Sequence, residues 1–78
     1  MKVTEYRLEI YRPGDPETLL KGFMSSTPFL PVSTGDFLSQ TMFPYPSHLC
    51  VVRVVHIVHF GAATDITHTV QVYTRETT

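Results

Sequence analysis

The residues of this chain best suited to chemistry are four histidines, His48, His56, His59 and His68, together with the lone Cys50. An imidazole can bind a metal or move a proton near neutral pH, and a thiolate can act as a nucleophile, so spacing decides which of these is open. His56 and His59 lie in VVRVVHIVHF, residues 51–60, a run otherwise made of Val, Ile, Phe and one Arg. Such a run predicts a strand, and residues three apart on a strand point to opposite faces, so this pair cannot chelate. Cys50 sits between Leu49 and Val51, an apolar setting in which a thiol is packing rather than a nucleophile. Asp36 and Asp65 stand beside turns, where carboxylates cap backbone N–H groups. STGDF offers a single glycine with neither a lysine nor a following helix, so no phosphate cradle is present. The sequence predicts no catalytic residue, no metal-ligand set, no cofactor and no enzyme.

The elements that must position these residues are strands. KVTEYRLEIY alternates, with Thr4, Tyr6, Leu8 and Ile10 on one side and Val3, Glu5, Arg7, Glu9 and Tyr11 on the other. RPGDP ends that strand in a turn. DPETLLKG can be read as one helical turn from Asp15 to Gly22, but so short a nucleus has little apolar stripe to dock, and a strand from Thr18 to Ser26 is favoured. A turn at Gly35 and Asp36 leads to a short strand near Phe37 to Gln40. HLCVVRVVHIVHF and DITHTVQVYTRE flank GAAT and form a long hairpin over residues 49–75. With a loop from Gly61 to Asp65, Phe60 faces Ile66, Val58 faces His68, His56 faces Val70 and Val54 faces Val72. One hairpin face then carries Val52, Val54, His56, Val58 and Phe60 with Ile66, His68, Val70 and Val72. The other carries Val51, Arg53, Val55, Ile57 and His59 with Thr67, Thr69, Gln71 and Tyr73. His56 and His68 become diagonal neighbours among apolar side chains, core-edge residues whose ring nitrogens should bond backbone or hydroxyl groups. Two imidazoles alone make half a zinc site.

The expected fold is a single mainly β domain over residues 1–78, an antiparallel small barrel or curled sheet of four to five strands. An α+β arrangement with a short helix near residues 16–22 is the alternative. Seventy-eight residues bury only about 60 to 65% of the unfolded chain's surface, so the core is small. One cysteine forms no internal disulfide, the N-terminus lacks an apolar signal core, and no apolar run is long enough to cross a bilayer. The expectation is a cytoplasmic chain with no membrane partner.

Six Lys and Arg against seven Asp and Glu leave a net charge of −1, which neither attracts phosphate nor mimics it. From Gly22 to Val52 the one charged residue is Asp36, among prolines and the aromatics Phe23, Phe29, Phe37, Phe43 and Tyr45. An uncharged aromatic stretch either fills the core or docks onto another protein. The functional expectation is a non-enzymatic protein-interaction module or small inhibitor, of the kind phages and mobile elements encode, with Arg53, His59, Tyr73, Phe43 and Tyr45 as binding residues. A homodimer is expected because Val51, Val55 and Ile57 need cover. The alternatives are a nucleic-acid-binding small barrel, using Arg53, His59, Gln71, Tyr73 and Arg75, and a histidine-based metal-binding protein.

Overall fold

The computed structural model describes residues 3–38, 48–61 and 65–77. Five strands form one sheet: β1 (Glu5–Arg12), β2 (Asp15–Ser25), β3 (Phe37–Leu38), β4 (Leu49–Phe60) and β5 (Ile66–Glu76). Their order across the sheet is β2-β1-β5-β4-β3, curled into a half-barrel. The domain is mainly β as its alternating patterns imply, and residues 16–22 lie in a strand rather than a helix. The expected purely antiparallel sheet is corrected at one seam, because β1 and β5 run parallel. That seam joins the β1–β2 hairpin to the β4–β5 hairpin. Thr4 fastens it: its N–H donates to Ile66 O at 2.9 Å, and its hydroxyl donates to that oxygen and accepts from Ile66 N.

The first hairpin turns at Pro13 and Gly14, with Arg12 opposite Asp15. Proline fixes the first turn position, and Gly14 takes φ 74°, which other L-residues resist. This turn hand splays strands rather than matching their twist, and the pairing is irregular beside it, at Ile10 to Arg12. Asp15 accepts from the Thr18 hydroxyl and from Glu17 N, bonds that hold its carboxyl below the ordinary range. Before β3, Ser33 N donates to the Asp36 carboxylate at 2.8 Å and Asp36 N donates back to Ser33 O, closing a turn around Gly35. Asp36 is thus the turn cap its sequence position implies.

The β4–β5 pairing matches the expected register from Arg53 opposite Tyr73 to Phe60 opposite Ile66. Below it the ladder shifts, since Val51 faces Thr74 and Val52 has no partner. This β-bulge reverses the facing of both valines. Val51, expected on the second face, lies in the core at 1% exposure, and Val52, expected inside, is 43% exposed. The core gathers Leu8, Ile10, Leu38, Leu49, Val51 and Val72, with Leu20, Phe23, Phe29, Val32, Val54 and Val70 packed around it. Phe23 and Phe29 are therefore packing residues, whereas Phe37 is exposed. No helix of the described residues is long and apolar enough to cross a membrane.

Candidate functional site

Two regions hold the residues that sequence singled out, one on each face of the β4–β5 hairpin. On the outer face, the Arg53 guanidinium lies 5.2 Å from the Tyr73 ring centroid. That follows from their direct opposition across the ladder. Tyr73 in turn stacks on Tyr11 of β1, centroids 5.1 Å apart and planes 12° from parallel. The Tyr73 hydroxyl donates to Gln71, the Gln71 amide donates to Glu9 and to the Tyr11 hydroxyl, and that hydroxyl donates to Glu9 at 2.9 Å. Burial first, and the Glu9 carboxylate second, push the Tyr11 phenol up to about 12. The sequence pattern places Tyr11 and Glu9 only on one side of β1. Their place beside Gln71 and Tyr73 depends on the parallel seam, which leaves no local sequence signal.

His59 shares this face but not this cluster. It pairs with Thr67, six residues along β4 from Arg53, a distance of roughly 20 Å on a strand. Phe43 and Tyr45 lie outside the described residues. Arg75 pairs with Cys50 beyond the bulge. Arg7 is in an ion pair with Glu5, Nε to Oε2 at 3.1 Å, so the face carries acidic groups next to its basic ones. Cys50 is buried and free, its thiol directed at the Val51 carbonyl.

On the inner face, His56 and His68 meet. Their rings stand 5.2 Å apart, and His56 Nδ1 lies 3.0 Å from His68 Nε2, a hydrogen bond whose direction depends on the tautomer. The expected backbone or hydroxyl partners are thus replaced: each imidazole satisfies the other. Nor are the rings deep in the core, since His56 is exposed and His68 half-buried. Tyr6 adds a tilted ring contact to His68 at 6.0 Å. The pair borders an apolar cavity of about 210 Å³ that Phe29, Leu30 and Val32 also line. Residues 28–32 were legible as apolar packing, but not as the wall of a cavity facing histidines.

Comparison with protein families, curated proteins and solved structures finds no match.

The geometry that stands out is an edge. Gly61 N donates to Asp65 O, so Gly61 aims its N–H at the β5 side. Antiparallel strands alternate in direction, so Val55, Ile57 and His59 also aim at β5, while Val54, His56, Val58 and Phe60 aim away from it. The far end agrees, because Val51 N donates outward to Asp36 O and Val51 O accepts from Gly35 N. β3 covers Leu49 and Cys50 only. Among the described residues, nothing pairs with the outward groups of residues 54–60. Ile57, Val58 and Phe60 are exposed there as well.

Proposed function

We propose that this chain is a non-enzymatic protein-interaction module that works by strand addition to the outer edge of β4, and that a second copy of β4 is the strand it takes. The observation that carries this is the stretch from Val54 to Phe60, long, apolar and unpaired on its outer side among the described residues. Sheet edges of this kind are normally shortened, charged or covered, because they template pairing with another chain. Here the edge carries no Lys, Asp, Glu or Pro from residue 54 to residue 60.

A second β4 fits by symmetry. Antiparallel pairing centred on Ile57 sets Val54 against Phe60 and His56 against Val58, so each outward residue meets another outward residue. Both strand faces then gain apolar neighbours, Val58 and Phe60 inside, Val55 and Ile57 outside. This replaces the original reason for expecting a dimer, since Val51 is covered by its own chain.

The test is the solution mass of wild type and of Val58→Pro. Proline removes an outward N–H and leaves the β5 ladder whole, so the variant should keep its strand content and run as a monomer while wild type runs as a dimer. A monomeric wild type, or a dimeric Val58→Pro, overturns the reading. Nucleic-acid binding gains no support from the outer face, where Glu5 and Glu9 share the surface with Arg7 and Arg53.

A further inference from the structure

We propose that His56 and His68 are a two-imidazole binding site for a divalent transition-metal ion, with copper(II) preferred. The site lies within one chain, in diagonal positions of the β4–β5 ladder, and does not depend on whether β4 is paired. Metal chelation needs two lone pairs held close by a rigid frame. A twelve-residue strand against an eleven-residue strand supplies the frame, and His56 Nδ1 and His68 Nε2 are already 3.0 Å apart.

That separation is short enough for one ion to bridge both rings. Two nitrogens at about 2.0 Å from a metal lie about 2.8 Å apart for a right-angled bite and about 3.3 Å apart for a tetrahedral one. The 3.0 Å between the metal-free rings lies between the two, so either bite is within a small shift of the rings. The affinity order of nitrogen sites along the first-row ions decides the preference, with copper(II) above nickel(II) and zinc.

The surroundings favour a cation that brings its own remaining ligands. Neither ring has another hydrogen-bond partner among the described residues, and the exposed His56 leaves the ion open to water or another donor. The cavity wall beyond the pair is apolar apart from Tyr6 and the Arg7 border, and Arg7 is held by Glu5. On binding, the ring that donates the hydrogen bond moves its proton, through solvent, to its own other nitrogen, so each neutral imidazole turns one lone pair to the metal; no net proton is released and no electron changes hands. The described residues hold no cluster of three or more His, Cys, Asp or Glu, so the site is bidentate rather than a closed structural centre.

Copper(II) chloride titrated into the intact chain tests this, read by calorimetry and by broadening of histidine ring resonances. One ion per chain is expected, with the His56 and His68 signals lost first. Replacing either residue, His56→Gln or His68→Gln, should weaken binding by about tenfold or more, since one imidazole cannot chelate. His59→Gln, on the opposite face, should leave it unchanged. Zinc should bind more weakly than copper(II). Early broadening at His48 or His59 instead, copper affinity that survives both replacements, or zinc binding tighter than copper(II) would each overturn the proposal. The ring signals are read in the wild-type protein, so the test stands even where a variant folds poorly.

Discussion

Replacing Val51 and Val52 separately with alanine should give very different losses of stability, although the two are identical and adjacent. Val51 is 1% exposed and Val52 43%, because the bulge turns one into the core and the other toward solvent. Truncating a buried valine removes two methyl-sized groups, worth about 1.6 kcal/mol in transfer at about 0.8 kcal/mol each. An uncollapsed cavity of about 50 Å³ adds about 1.2 kcal/mol, so Val51→Ala should cost about 1.6 to 3 kcal/mol. Val52→Ala should cost about 0.5 kcal/mol or less, in keeping with surface substitutions. For a domain of this size, each kcal/mol moves the melting temperature by about 4 to 8 °C, so Val51→Ala should melt at least about 6 °C lower. Urea unfolding of both variants beside wild type measures the difference directly. Equal losses, or a larger loss at Val52, would show that the regular ladder continues below Arg53 and that the bulge is absent.

Other outcomes follow from the turn, the outer cluster and the phenol between them. Gly14→Ala should cost about 1 to 2 kcal/mol through its positive φ alone, because no atom lies within 4 Å of where the new methyl would stand; a D-alanine at that position, made by chemical synthesis, should cost less than L-alanine. Arg53→Ala should lower fold stability by about 0.5 to 1 kcal/mol, the worth of an exposed cation–π contact, and a loss of several kcal/mol in urea unfolding would contradict that. Tyr11 ionises near 10.0 when unfolded and near 12 when folded, so its contribution to stability is complete below the first value and disappears as pH rises through the second. Titration of tyrosine absorbance in Tyr11→Phe should lack the highest-pH step seen in wild type.

What sequence made legible was whatever depends on neighbours along the chain. Alternation in KVTEYRLEIY sorted the faces of β1, and valine-rich runs around GAAT set the hairpin register from Arg53 upward. The same logic placed Arg53 on Tyr73 and brought His56 diagonally to His68. It failed at Val51 and Val52 because a bulge in an all-valine stretch changes no residue type: both facings are equally apolar, and only the turn from Ser33 to Asp36 bonding Val51 fixes which one points inward. The parallel β1–β5 seam was invisible for a related reason. Pairing between strands 62 residues apart is decided by which edge remains open after both hairpins form, and no local pattern encodes it. The Tyr11–Tyr73 stack and the cavity beside the histidines both depend on such distant contacts.

Strand addition at β4 is tested most directly by amide hydrogen exchange across a range of protein concentrations. Val55, Ile57 and His59 bond to β5 within the chain, so their amides should be protected at every concentration. The amides of Val54, His56, Val58 and Phe60 should exchange freely when the protein is dilute and slow together as concentration rises. If those four stay unprotected at every concentration, or are equally protected at the lowest one, the outer edge of β4 does not take a second copy.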